Sequence, residues 1–424
     1  MAGSRIPPQP WMTAPETRSL FAALEKAGDE ARFVGGCVRD AVLNRPVKDI
    51  DIATHLPPTE VIRRLEAADI HVIPTGLAHG TVTAVIHKTH FEITTLREDL
   101  ETDGRRAKVA FTDDWTADAA RRDFTINTLF CTLDGAIHDP FDGLIDLGEG
   151  RVRFVGDARQ RCEEDILRVL RFFRFHAHYG RPPPDADALA ACRAFAPRLP
   201  DLSGERIRNE LFNILLAPDP ASAIDLMHAQ GALMPILPES GDGETETLRQ
   251  LSWLEANTWR IEGIETDSVR RLSALLKTDP AGVAAFAHRL HLSNRQRNRL
   301  ATLADPALRP EPYGSPHDLR KLLYKEGSNL VRDRLLLAWA HELATTPDQG
   351  LDDNERWMEH LRACAAWEPV PFPLRGKDAL AVGVAHGPAM GKMLKKVEAW
   401  WINEDFQPDK AACLMRLREL NADH

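Results

Sequence analysis

The feature that most constrains this chain is where strand-forming alternation stops. Up to about residue 150, short runs rich in β-branched and aromatic residues recur at 31–34, 50–53, 81–86, 91–95 and 109–111. Turn-forming residues separate them, and 59–68 carries a helical pattern. Beyond residue 150 the alternation is gone. Long Ala/Leu/Arg/Glu stretches at helical spacing replace it, broken by proline-rich loops at 181–184, 218–220, 235–238 and 369–373. A chain patterned this way is predicted to be α+β. A mixed α/β head with a β-sheet occupies 25–150, and an all-helical remainder follows. No 20–50-residue repeat is present, which excludes a solenoid. The length, 424 residues, suits two to four domains and a full core without disulfides or a structural metal.

Charge and cysteine usage narrow the class further. With 53 Lys and Arg against 63 Asp and Glu, the formal charge is −10. That total argues weakly against nucleic acid, but phosphate responds to local patches rather than totals. Two stretches are locally basic: 151–175 has seven Arg against four acids, and 374–398 has five basic residues against two acids. The six cysteines are scattered with no C-x-x-C pair, so neither a disulfide framework nor a cysteine-based zinc site is expected. No run approaches 18 uncharged apolar residues, and the proline-rich 1–15 segment lacks the apolar core of a secretory signal. The expectation is a reduced, cytoplasmic protein without membrane association.

Two motifs in the head carry chemistry. In Phe33-Val-Gly-Gly-Cys-Val-Arg-Asp40 an apolar strand meets Gly35-Gly36 and then a helix bearing Arg39. Paired glycines let backbone approach a ligand, and the N–H groups at a helix start attract phosphate. A tight turn without a ligand is the plainer reading of that pair alone. Lys48-Asp-Ile-Asp-Ile-Ala53 then sets Asp49 and Asp51 at i, i+2 on a strand, so both carboxylates share one face while Ile50 and Ile52 point inward. Two carboxylates on one face repel each other unless a cation separates them, and hard cations such as Mg²⁺ take oxygen ligands of this kind.

From these residues onward the sequence resembles the class II nucleotidyltransferases of the DNA polymerase beta superfamily, the group of CCA-adding tRNA nucleotidyltransferases and bacterial poly(A) polymerases. The likeness continues through Gly76-Leu-Ala-His-Gly-Thr-Val82, Phe91-Glu-Ile-Thr-Thr-Leu-Arg97, Arg121-Arg-Asp-Phe-Thr-Ile-Asn127 and Asp139-Pro-Phe-Asp-Gly143. It ends in Glu164-Asp-Ile-Leu-Arg-Val-Leu-Arg-Phe-Phe-Arg-Phe175 and Ser203-Gly-Glu-Arg-Ile-Arg-Asn-Glu-Leu211. The blocks fall in the family's order over about residues 30–215. More loosely, 373–378 and 387–391 resemble the family's C-terminal piece. The resemblance implies a helical neck at 151–225, a body at 226–345 and a tRNA-binding tail at 346–424.

The resemblance also implies roles. Asp49 and Asp51 bind catalytic Mg²⁺. Gly36 and Arg39 hold the triphosphate, and Arg122 clamps phosphate or ribose. Glu92 is a candidate third carboxylate, although a strand glutamate is more often a solvated edge residue. Asp165 and Arg168 read the incoming base, with Arg171 and Arg174 helping to hold the nucleotide. These four recur every three residues, so Asp165, Arg168 and Arg171 are expected on one inclined helical stripe, with Arg174 rotated further round. An interdomain ion-pair network is the structural alternative. Arg121 and Arg122 are expected to open an amphipathic helix. The charges at 205–210 are read as braces for the base-reading helix. The implied activity is addition of C, C and A to tRNA 3′ ends from CTP and ATP, with no obligate protein partner.

Other readings compete. Enzymes adding only CC or only A look alike, and the segment that separates them lies at about 98–118. A poly(A) polymerase is disfavoured because 54–75 lacks an Arg-rich block. A non-catalytic RNA-binding protein is disfavoured by the intact Asp49 and Asp51, and a small-molecule nucleotidyltransferase by the long helical remainder. His317-Asp318 could suggest an HD-type phosphohydrolase, but it lacks further ligands at suitable spacing.

Overall fold

The computed structural model describes residues 4–25, 28–103, 106–242, 244–258, 261–305, 315–346 and 351–422. Nine strands are described, all of them before residue 140: β1 (Ala31–Val34), β2 (Ile50–Thr54), β3 (His71–Gly76), β4 (Thr81–Ile86), β5 (Thr89–Thr95), β6 (Arg97–Asp103), β7 (Arg106–Phe111), β8 (Phe130–Cys131) and β9 (Ile137–His138). Seven form one sheet in the order β3-β4-β5-β2-β1-β8-β9, and β6 and β7 form a separate hairpin. Of the 98–118 segment, residues 104 and 105 lie outside the described residues.

Among the described strands only the central β2–β5 pair is parallel. Its register sets Asp51 opposite Glu92, while Ile52 and Ile93, next along the two strands, are fully buried on the other face. The sheet thus has one apolar face, and the carboxylates stand on the opposite one. Phe33 on β1 is covered by upstream helices: the rings of Trp11 and Phe21 each lie 4.7 Å from it. The Pro58–Glu66 helix buries Val61 and Leu65, one turn apart. β3 was not legible because it is mostly exposed and contains Pro74, which a sheet tolerates at an edge such as this.

Every described element after β9 is helical. Contacts divide the chain into two units, Met1–Pro238 and Glu239–His424. The first unit keeps the head and the following helices together through phenylalanines. Phe172 and Phe175 of the Leu167–Tyr179 helix lie with Phe124 and Phe154 in one buried cluster; Phe124 is 4.7 Å from Phe154 and 5.1 Å from Phe175.

Among its described residues the second unit gathers two apolar cores. One draws Leu251, Leu335, Trp339, Trp357 and Leu361 together; the other gathers Leu374, Met393, Val397, Trp401 and Leu417. The Leu351–Ala365 helix therefore packs into the first of these. Next to the first core lies a buried ion network. Glu255 accepts from Arg270 at 2.8 Å and from Arg271 at 2.6 Å, and Arg270 continues to Asp333 at 2.8 Å. Asp318 caps its own helix through Ser315, and His317 contacts Asp405 at 3.0 Å, so the HD reading gains no support. Among the described residues no helix is long and apolar enough to cross a membrane.

Candidate active site

The Gly35–Gly36 turn joins β1 to the short Gly36–Val42 helix. Gly35 has φ +69°, a conformation side chains resist, and a Cβ there would sit 3.5 Å from an Arg122 guanidinium nitrogen. The turn, the carboxylate face of the sheet and the start of the Leu167–Tyr179 helix enclose a cavity of about 640 Å³. Gly36, Arg39, Asp51, Arg122, Asp165, Arg168 and Arg171 all line it. Asp49 and Arg174 do not.

The carboxylate wall is electrostatically strained. Burial pushes the Asp51 pKa up to about 6 from its ordinary 3.8; the neighbouring Glu92 and, more weakly, Asp49 push the same way, while Arg122 and Arg39 oppose them. Asp49 stands one residue before β2 and is exposed, so it belongs to the strand's entry rather than the strand itself. Among the described residues no three His, Cys, Asp or Glu side chains are grouped to hold a metal ion. Asp51 and Glu92, both lining the cavity, form the core of the acidic wall, and the parallel register gives Glu92 its place in it.

Arginines face that wall, each held by a carboxylate. Arg122 donates to the buried Asp118 at 2.9 Å, and Arg121 contacts the same carboxylate at 3.0 Å. Burial alone would raise the Asp118 pKa, but the two guanidiniums outweigh it and hold it low. This pairing corrects the expected helix start: Arg121 and Arg122 follow the end of the Trp115–Ala120 helix, and a 3-10 turn at Thr125–Asn127 comes next. Arg171 donates to Asp123 at 2.6 Å, and Asn127 donates to the other Asp123 oxygen at 3.0 Å. Asp123 is buried, which would raise its pKa, but Arg171 foremost keeps it below its ordinary value.

The expected stripe is broken at its first member. One helix ends at Glu164 and the next begins at Leu167, so Asp165 lies in extended backbone between them. Its Oδ1 accepts the Leu167 N–H at 3.1 Å, which caps the new helix, and its Oδ2 accepts from Arg206 at 2.7 Å. Arg168 pairs with Glu164 and donates to the Arg161 carbonyl at 3.0 Å. Arg174 has rotated away from the cavity and donates to Glu210 at 2.6 Å. Arg206 and Glu210 thus brace this region, as read from the sequence. Arg206 also lines the cavity, as do Glu92, Arg97, Arg121 and Asp123. Glu164 and Asp123 gave no sequence signal beyond lying within the 164–175 and 121–127 motifs, whereas Arg206 was legible as a brace.

Such a cavity, with an acidic wall, a glycine turn and a rank of braced arginines, suits an anionic ligand bound together with a cation. Comparison with known proteins gives it a family. A family model described as the poly A polymerase head domain matches residues 31–153, and one described as a probable RNA and SrmB-binding site of polymerase A matches 184–242. Over 426 residues the chain is 32% identical to the mitochondrial CCA tRNA nucleotidyltransferase 1 of Mus musculus, covering 96% of this chain and 93% of that protein. It is 30% identical over 418 residues to the CCA-adding enzyme of Limosilactobacillus reuteri (strain DSM 20016), covering 95% and 96%. The chain belongs to the CCA tRNA nucleotidyltransferase family.

A solved structure agrees: the Bacillus stearothermophilus CCA-adding enzyme in complex with CTP matches with a TM-score of 0.75 at 26% identity, covering 97% of this chain and 99% of that one. The chain is accordingly a nucleotidyltransferase. The head model spans all nine strands, including the Asp51–Glu92 pair. Residues 154–183, which carry Asp165, Arg168 and Arg171, lie between the two family models. For that stretch, membership in the CCA tRNA nucleotidyltransferase family rests on the full-length relatives.

Proposed function

We propose that the chain completes tRNA 3′ ends to CCA, using CTP and ATP and releasing pyrophosphate. The observation that carries this reading is the composition of one cavity, which joins the Asp51–Glu92 carboxylates to the Asp165, Arg168 and Arg171 wall. In this reading the head at 25–150 performs the chemistry and the neck at 151–225 selects the base. The body at 226–345 and the tail at 346–424 carry the tRNA.

The acidic wall fits Mg²⁺ on the chemistry of its donors. Burial and Glu92 crowd the Asp51 charge, and a divalent cation relieves that repulsion. Mg²⁺ commonly takes one or two carboxylates and completes its shell with water and substrate phosphate, so a site centred on two carboxylates is sufficient. Asp51 and Glu92 would hold it, with Asp49 at the strand entry. When bound it lowers the pKa of the attacking 3′ hydroxyl and neutralises charge developing on the α-phosphate.

The chain's own residues do the rest. The Gly35–Gly36 turn brings backbone N–H groups toward the phosphates, and Arg39 and Arg122 supply positive charge beside it. Each Asp165 oxygen spends one lone pair inside the protein and keeps another for an exocyclic amine. An arginine donor beside it meets a ring nitrogen acceptor. Cytosine and adenine both present that amine and acceptor, whereas guanine and uracil reverse the pattern, so one Asp–Arg pair serves CTP and ATP. The ion pairs with Glu164, Asp123 and Arg206 hold these groups before the nucleotide arrives, which is the preorganisation a protein template needs.

The test incubates purified protein with tRNAs ending before CCA, after C and after CC, each with CTP, ATP or both. Full CCA completion is expected, with GTP and UTP refused. Addition of A alone to the CC-ended tRNA would make it an A-adding enzyme, and long A tails on unrelated RNA a poly(A) polymerase. Asp51→Ala should abolish addition while leaving tRNA binding intact. Near-normal incorporation by that variant would remove Asp51 from the mechanism.

A further inference from the structure

Tyr179, the last residue of the Leu167–Tyr179 helix, is fastened to the head in a way the nucleotide-binding reading has not used. Its hydroxyl accepts from Arg39 Nη2 at 2.8 Å and donates to Asp40 Oδ1 at 2.9 Å. Two guanidiniums lie against its ring, Arg39 at 4.2 Å and Arg45 at 4.7 Å from the centroid. Arg45 also donates to the His178 carbonyl at 3.0 Å, at the end of the same helix. Burial raises the Tyr179 pKa, so the phenol keeps the proton it gives to Asp40.

Arg39 is the residue at stake. It is only 7% exposed yet lines the cavity, so its partners fix where its charge sits. Three side chains hydrogen-bond to it. Asp40 belongs to its own helix, Asn127 accepts at 2.5 Å from the 3-10 turn of the head, and Tyr179 comes from the neck. Tyr179 alone among these hydrogen-bond partners is on the helix that carries Arg168 and Arg171, where the Phe175 ring also lies 5.3 Å from the Arg39 guanidinium. It lies eleven residues beyond Arg168, about 16 Å along a rigid helix. One end of that helix faces the cavity, and the other end grips the arginine beside the glycine turn.

We propose that Tyr179 is a positioning residue for the nucleotide: its hydroxyl fixes the Arg39 guanidinium and sets the distance between the Gly35–Gly36 turn and the base-reading arginines. The proposal rests on the reading of this cavity as the nucleotide site. Arg39 would contact the nucleotide in the ground and transition states alike, so loosening it weakens binding without slowing the chemical step.

Tyr179→Phe keeps the ring and its stacking and removes only the oxygen. KM for both CTP and ATP should rise about tenfold, the scale of one hydrogen bond to a charged group. The kcat should stay within about twofold, and KM for tRNA should not move. In an Arg39→Lys background the Phe substitution should add nothing further, because the two residues act as one unit. A bracing role without effect on the nucleotide would instead lower the thermal midpoint and leave KM unchanged. An active wild type whose Tyr179→Phe variant keeps its nucleotide KM, or additive effects of the two substitutions, overturns this inference alone. A wild type that adds no nucleotide to any tRNA overturns it together with the functional reading.

Discussion

Asp51→Asn should make the metal-free protein more stable while destroying its activity. The Asp51 pKa stands at about 6 in the fold against an ordinary 3.8, chiefly through burial and then through Glu92. A difference of that size is worth about 3 kcal/mol at 1.36 kcal/mol per pKa step. Asp51 retains some solvent access, so about 1–3 kcal/mol is the expected range. The sign follows from linkage. A carboxyl whose folded pKa is raised contributes stability that is full below 3.8 and lost as pH rises through about 6. At pH 8 the wild type therefore carries the whole penalty and asparagine carries none. In a unit of this size 1 kcal/mol moves the midpoint by about 2–4 °C.

The assay is thermal unfolding of wild type and variant in EDTA at pH 8 and again near pH 4. Asp51→Asn should melt several degrees higher at pH 8, and the difference should shrink toward zero at the lower pH. Added Mg²⁺ should raise the wild-type midpoint and leave the variant's nearly unmoved. Equal midpoints at pH 8 would refute the argument that the fold holds this charge at a cost. A gain of the same size at both pH values would show that packing, not charge, produced it.

Further predictions follow from the braced arginines and the buried network. Arg168→Ala should cost the cavity a base-edge donor worth about 1–3 kcal/mol of discrimination, so misincorporation of GTP or UTP should rise tenfold or more in primer-extension assays on CC-ended tRNA. Unchanged discrimination would remove the base-reading role. Glu255→Ala strips the buried carboxylate that both Arg270 and Arg271 use, while Arg270 keeps Asp333. Removing one partner of a buried pair costs about 3–5 kcal/mol, so the Glu239–His424 unit should unfold at clearly lower urea, while single-nucleotide transfer in the head and neck keeps its rate. Glu92→Gln should lower the Asp51 pKa without restoring 3.8, since burial remains; a spectroscopic titration of Asp51 that does not move would separate the two residues.

The sequence carried the architecture because the head's strands are patterned by their own two faces. Ile50 and Ile52 alternate with Asp49 and Asp51, and that alternation is visible without knowing any neighbour. β3 escaped because an exposed edge strand has little apolar face to display, and β8 and β9 because two residues are too few to show a period. Residues chosen for the cavity by their blocks mostly reached it. Those that did not had rotated away, as with Arg174, or stood ahead of the strand, as with Asp49.

What local pattern cannot reveal is pairing across distance. Glu92 is a neighbour of Asp51 only because β2 and β5 run parallel, and two strands intervene between them in the chain. Asp165 is a second instance. Its spacing to Arg168 and Arg171 predicts a stripe on one helix, yet the backbone breaks at that residue and the carboxylate caps the helix instead. The break has a functional consequence. An aspartate within the helix would have its direction fixed by the helical turn, whereas one in extended backbone is aimed by its own partners, the Leu167 N–H and Arg206. Arg206 comes from a helix some forty residues away, so the acceptor that would meet the base is set by tertiary structure rather than by the repeat of three. Substituting Arg206 should therefore disturb base choice even though it belongs to none of the cavity positions chosen from the repeat. An Arg206→Ala variant that selects CTP and ATP as sharply as wild type would mean that the Leu167 N–H alone is enough to aim Asp165.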